Sequence, residues 1–211
     1  MHLFPLSTRT CAVLICDLQE GLVPVIHRSS TVVNTCRYLT SVASVLGMPM
    51  LCTQQHTKAL GNIVPECFAT PEIQALATTP KVFEKTKFSM LTDEVLDHLH
   101  YWNTQSVRDR FILVGIEAHV CVQQTCFEML KRSTSNDPIT VYVVVDGVSS
   151  QNSCDRAIAL QRMHDAGAIL TTAQSIIFEI MQTAEHENFD TVSKLTVEHL
   201  KLPNEFNGDF N

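Results

Sequence analysis

Several features that a chain of this length can carry are missing. No apolar run reaches the ~18–20 residues needed to cross a bilayer as a helix. No Lys/Arg cluster is longer than two residues, which leaves no basic stretch for a phosphate backbone to meet. There is no CxxC and no short dense cysteine spacing, and no signal peptide is expected. The eight cysteines therefore read as free thiols in a reducing compartment rather than as a disulfide framework. No internal repeat or low-complexity segment stands out, so the chain reads as one domain.

What is present is a globular balance. The sequence has 211 residues, 45% hydrophobic and 18% charged, enough for one sizeable core. A net charge of -7 repels phosphate, so nucleic acid is not an expected partner. Residues 1–10, MHLFPLSTRT, form a short extension with one Arg and no acid. The expected compartment is the cytoplasm, with a mitochondrial location as the alternative. The main domain is expected over 11–200 and a disordered tail over 201–211.

Apolar runs alternate with helical stretches. CAVLICD (11–17) is apolar without alternation, the mark of a strand buried on both faces of a parallel sheet. Further strands are expected over 48–55, 81–90 (with a turn), 110–116, 141–146 and 168–172. Helices are expected over 30–47, closed by Gly47, and over 71–77, 92–102, 153–166 and 175–182, with one more around Cys121. Six strands alternating with helices predict an α/β fold, a three-layer α/β/α sandwich on a six-stranded parallel sheet. In such a fold ligands bind beyond the carboxyl ends of the strands.

The residues just past those ends are therefore the ones to inspect. They are Asp17 and Gln19, then Lys85, Lys87 and Ser89, then Glu117 leading to Cys121, and then Asp146. A thiol near a helix N-terminus and a cation becomes a competent nucleophile. A carboxylate beside it can take and return the proton. Neighbouring backbone N–H groups can hold an oxyanion. That set of groups suits acyl transfer to water. The plainer alternatives are a small buried hydrophobe for Cys121 and solvated lysines at 85 and 87. Asp146 is expected to cap the helix that follows it through Ser149 or Ser153, and Glu128 to pair with Lys131.

ICDLQEG, KTKFSM, GIEAHVCV and VVVDGVSS, followed by RAIALQRMHDAGAILTT, resemble the isochorismatase-like cysteine hydrolases over roughly residues 11–182. The likeness includes eukaryotic isochorismatase-domain proteins and protozoan relatives labelled a mitochondria-associated ribonuclease. It implies a Rossmann-like sandwich and a triad of Asp17, Lys85 and Cys121. Lys85 is selected by its spacing of four from Ser89, and Lys87 is the alternative. It also implies a cis peptide at Ile116-Glu117, with the Glu117 and Cys121 N–H groups facing the oxyanion.

Gln19, Gln54, Ser89 and His119 are the expected pocket residues. Metal-binding members carry an Asp and two His after the second strand. Here TQQHTKALGNIVPE offers His56 beside Gln54 and Gln55. A zinc site needs three protein ligands, so neither metal nor any other cofactor is expected. The expected function is hydrolysis of a small amide-like substrate at a C–N bond, through a thioester or thioimidate, in a homo-oligomer (dimer or tetramer). The alternatives are an endoribonuclease or RNA-associated protein, or a catalytically idle interaction protein.

Overall fold

The computed structural model describes residues 6–68 and 80–206; the short helix expected over 71–77 lies outside the described residues. The strands are β1 (Cys11–Cys16), β2 (Met50–Gln55), β3 (Lys81–Lys85), β4 (Arg110–Ile116), β5 (Thr140–Ser149) and β6 (Ile169–Thr171). The main helices are α1 (Ser29–Val45), α2 (Asp93–Gln105), α3 (Gln123–Arg132), α4 (Ser153–Asp165), α5 (Ala173–Met181) and α6 (Phe189–Leu200). The strands form one sheet in the order β3-β2-β1-β4-β5-β6, and every pairing is parallel. The expected α/β sandwich is the observed one.

Period-two alternation explains the unbroken apolar run in β1. Val13 and Ile15 face one core, with Ile112, Val114 and side chains from α1, α5 and α6. Ala12, Leu14 and Cys16 face the other, with Leu113, Val143 and side chains from α2, α3 and α4. Both faces are covered, so every residue of β1 is buried.

The end of α1 is set by local chemistry. Gly47 sits at φ +64, and the N–H groups of Gly47 and Met48 donate back to Ser44 and Ala43 at 3.2 and 2.8 Å. That is the 5→2 and 6→1 bonding of a Schellman stop, and it turns the chain directly into β2.

Four expectations are corrected. β5 runs on past Asp146 to Ser149, through a register shift opposite Leu113 and Gly115. Asp146 does not cap the next helix; its Oδ1 accepts from Ala173 N–H at 2.9 Å, at the start of α5. The reason is spatial: β6 lies beside β5, so the turn out of β6 returns to Asp146. Glu128 pairs with Lys87 at 2.8 Å and Arg132 at 3.3 Å rather than with Lys131.

The fourth correction concerns residues 201–206, expected to be disordered. Phe206 is buried under Arg156 and Arg28, 3.9 and 5.3 Å from its ring centre, and Glu205 accepts from Ser30 Oγ at 2.7 Å. Helix α6 was not anticipated either. Its seam with α1 is partly polar: Tyr38 Oη lies 2.8 Å from Thr196 Oγ1, and the Tyr38 and His199 rings stack at 4.6 Å. Among the described residues no helix is long and apolar enough to cross a membrane.

Candidate active site

β1 and β4 are neighbours in space although β2 and β3 intervene in sequence. Their carboxyl ends mark the switch point where strand order reverses, the usual ligand crevice of an open α/β sheet. Gly115 lets the two strands approach there. It pairs with Cys16 at φ +129, and a Cβ on it would lie 2.1 Å from the Cys16 carbonyl oxygen. Only glycine fits that position. The next peptide, Ile116-Glu117, is cis as the sequence resemblance implied. The chain then enters one π-helical turn, Ala118–Val122, that continues into α3. Cys121 lies in that turn, close to the start of the helical segment.

Asp17 follows β1 in the left-handed region at φ 49 and is fully buried. Its Oδ1 accepts from Thr53 Oγ1 at 2.7 Å, and its Oδ2 accepts from Lys85 Nζ at 2.6 Å. Lys85, the last residue of β3, reaches across the end of β2 to do this. The same ammonium donates to Gln55 Oε1 at 2.6 Å, to the carbonyls of Phe88 and Lys87 at 3.0 and 3.2 Å, and to Cys121 Sγ at 3.7 Å. Burial disfavours the charge on Lys85. The facing Cys16, Asp17 and Cys121 outweigh it, so its pKa rises above the ordinary 10.5.

The three expected triad residues thus meet around one ammonium. Lys87 does not join them; it is half exposed and bonds Glu128 and the Leu91 carbonyl. Of the expected pocket residues, His119 stands at the rim, one third exposed, with Nδ1 2.9 Å from Ser150 Oγ. Gln19 is fully buried and ties β2 to the loop after it, through Gln55 N–H and the carbonyls of Gln55 and Gly61. Gln54 braces the same loop through Thr57 and Ile63. Ser89 Oγ accepts from Leu91 N–H at 3.2 Å. The Glu117 carbonyl accepts from Val120 and Val122 N–H at 3.1 and 3.2 Å, bracketing the Cys121 amide.

Three neighbours of the triad were not singled out from the sequence. Thr53 and Gln55 hold Asp17 and Lys85, and Cys16 brings a second thiol beside Cys121. Period two in TQQ was the available signal, because Thr53 and Gln55 share the face opposite to Gln54. Burial, with the Cys121 hydrogen bond and the Asp17 charge adding to it, pushes the Cys16 thiol well up, so it stays protonated.

Cys16, Asp17 and Cys121 each offer a donor atom, all within 4.8 Å of one another, which would be a minimal metal set. Lys85 Nζ already stands where a cation would, against Asp17 and Cys121, and its charge opposes a second cation. His56 is exposed and Gln55 is committed to Lys85, so β2 adds no further ligand. The donor set does not fit a metal.

Known proteins resemble this chain over most of its length. Residues 11–175 match the model of the "Isochorismatase domain". The chain is 37% identical over 201 residues to the "Secreted isochorismatase effector Isc1" of Phytophthora sojae (strain P6497), covering 95% of this chain and 91% of that one. It is 34% identical over 190 residues to "Isochorismatase domain-containing protein 2" of Danio rerio, covering 90% and 88%. A solved structure, "Structure of MAR1 Ribonuclease from Caenorhabditis elegans", superposes with a TM-score of 0.80 at 37% identity, covering 92% and 93%. With a domain match over most of its length and relatives above 30% identity, the chain belongs to the isochorismatase family of hydrolases.

Proposed function

We propose that the chain is a cysteine hydrolase that cleaves a small amide-like C–N bond with Asp17, Lys85 and Cys121. The observation that carries this reading is Lys85 Nζ, buried between Asp17 Oδ2 at 2.6 Å and Cys121 Sγ at 3.7 Å. One ammonium orients the base and stabilises the thiolate. Asp17 takes the Cys121 proton, and the sulfur attacks the substrate carbon. The developing oxyanion meets the Glu117 and Cys121 N–H groups. The C–N bond breaks as Asp17 protonates the leaving amine, leaving a thioester or thioimidate on Cys121. Water, deprotonated by Asp17, releases the product and restores the thiol. No metal or organic cofactor has a part in these steps.

The isochorismatase reaction is not the one proposed, because enol-ether hydrolysis does not call for a cysteine nucleophile. A homo-oligomer is part of the reading: Phe88, at the rim of the site, is an exposed large apolar side chain, as are Val25 and Tyr101 elsewhere. A second reading, endoribonuclease, draws on the name of the C. elegans relative. Against it stand the net charge of -7 and the unsuited metal set.

The test is a panel of small primary amides, assayed for ammonia release, with single-stranded RNA run in parallel. Turnover of an amide with a trapped acyl mass on Cys121, both lost in Cys121→Ala, supports the hydrolase. RNA cleavage that persists in Cys121→Ala overturns it.

A further inference from the structure

Cys16 takes no part in the hydrolytic steps, yet its thiol belongs to the same buried cluster as Cys121. The sulfurs of Cys16 and Cys121 and a carboxylate oxygen of Asp17 lie within 4.8 Å of one another. Both side chains sit in the core formed with α2, α3 and α4. They differ in access: Cys121 is 7% exposed and Cys16 is 0% exposed. The outer sulfur can meet a small solute, whereas the inner one can meet only Cys121.

We propose that this pair is an oxidative modification site, in which a hydroperoxide oxidises Cys121 and Cys16 closes a reversible disulfide onto it. The proposal rests on Cys121 being the activated thiolate of the hydrolase reading. The Cys121 thiolate attacks the outer oxygen of the hydroperoxide. The O–O bond breaks, leaving sulfenic acid on Cys121, and the leaving oxygen takes from Asp17 the proton that Asp17 had removed from Cys121, departing as alcohol or water and freeing the carboxylate. Cys121 sulfur is oxidised by two electrons and the peroxide is reduced by two.

The Cys16 sulfur then attacks the Cys121 sulfur. Asp17, within reach of both sulfurs, takes the Cys16 proton and passes it to the departing hydroxyl, which leaves as water. A disulfide needs the sulfurs at ~2.05 Å, so at most a movement of about 3 Å shared by two side chains is required. Two equivalents of an external thiol reverse the bond. The consequence is protection: the nucleophile is held at a reducible state instead of passing to sulfinic acid.

A second thiol pair gives an internal comparison. Cys36 and Cys67 also lie within hydrogen-bond reach of each other, but both are fully buried in the opposite core, and no lysine is among the described groups that perturb Cys36. They have neighbours without access or activation.

The test uses the reduced full chain treated with equimolar hydrogen peroxide, with and without dimedone. It is quenched with N-ethylmaleimide and mapped by peptide mass spectrometry without reductant. The expected product has lost about 2 Da. Fragment ions join Cys16 to Cys121, dithiothreitol reverses the link, and dimedone adducts stay scarce.

In Cys16→Ser, and in Cys16→Ala as the apolar control for folding, the link disappears. Dimedone adducts and sulfinic acid on Cys121 rise severalfold, while iodoacetamide labelling of Cys121 matches the wild type. If the wild type accumulates as much Cys121 dimedone adduct as the variants, or links Cys36 to Cys67 instead, the disulfide proposal falls and the nucleophile reading stands. If Cys121 takes neither dimedone nor iodoacetamide ahead of the other thiols, both fall.

Discussion

Gln55 Oε1 accepts a hydrogen bond from Lys85 Nζ at 2.6 Å, the same length as the Lys85–Asp17 ion pair. The amide is itself fixed, because its Nε2 donates to the Thr86 carbonyl at 2.9 Å. Gln55 is therefore a positioning residue for the ammonium. Gln55→Ala leaves a buried charge short of one acceptor and is expected to cost about 1.5–3 kcal/mol in urea denaturation. It also slows Cys121 alkylation. Gln55→Glu sets a second carboxylate beside Asp17, and the acid limb of the rate–pH profile moves to higher pH. An unmoved limb would mean that Gln55 only supports the fold.

The Asp17 and Lys85 side chains are both fully buried, so the pair tests burial against charge. Removing one partner strands the other. Lys85→Met or Asp17→Leu alone is expected to cost ~3–5 kcal/mol, while the double variant recovers most of that loss. Lys85→Met and the double variant, which both lack the ammonium, are expected to label Cys121 slowly. Asp17→Asn, milder for the fold because asparagine tolerates φ 49, lowers turnover by at least ~100-fold. A double variant no more stable than the singles contradicts the pairing.

Lys85 also sets an alkaline dependence. Its folded pKa is raised, so the stability it contributes is fully present below the ordinary 10.5 and is lost as pH rises through the folded value. Buried thiols act in the same direction; burial alone pushes Cys126 up to about 12. The clean measurement is the difference between wild type and Lys85→Met, in which the thiol contributions largely cancel. That difference should hold constant through neutral pH and shrink above 10.5. A difference that shrinks on acidification near neutrality would assign the wrong group.

Gly115→Ala addresses the switch point. The added Cβ would meet the Cys16 carbonyl at 2.1 Å in a conformation that disfavours any side chain. β1 and β4 must separate where they present Asp17 and Cys121. A loss above about 3 kcal/mol is expected, with Cys121 labelling slowed even in the folded fraction. A variant close to wild type in both would remove the role given to this contact.

The sheet was legible because the central strands β1, β4 and β5 carry long apolar runs and the long helices keep their period, although β3 (KVFEK) is mostly charged. The position of Asp17 and Cys121 beyond the strand ends was legible because parallel topology puts those ends on one edge, while their roles came from the family resemblance. Gln55 was not, since an amide at a strand end looks the same whether it meets water or a buried ammonium. Helix α6 escaped for a similar reason: of its residues Val192 and Thr196 are the buried ones, and its seam runs through Tyr38 and His199. Asp146 and Glu128 were assigned local partners, but their actual partners, Ala173 and Lys87, come from other elements. Tertiary proximity decided both.

The central claim is that Cys121, alone among the eight cysteines, is an activated nucleophile held by Lys85. Limiting iodoacetamide over pH 5 to 9, read by peptide mass spectrometry, tests it without knowledge of the substrate. Cys154, exposed on α4, is the built-in reference for an ordinary accessible thiol. The account predicts that Cys121 is alkylated first despite being far more buried than Cys154. It also predicts that Lys85→Met abolishes the preference. Labelling that follows exposure, with Cys154 ahead of Cys121 in both proteins, would contradict it.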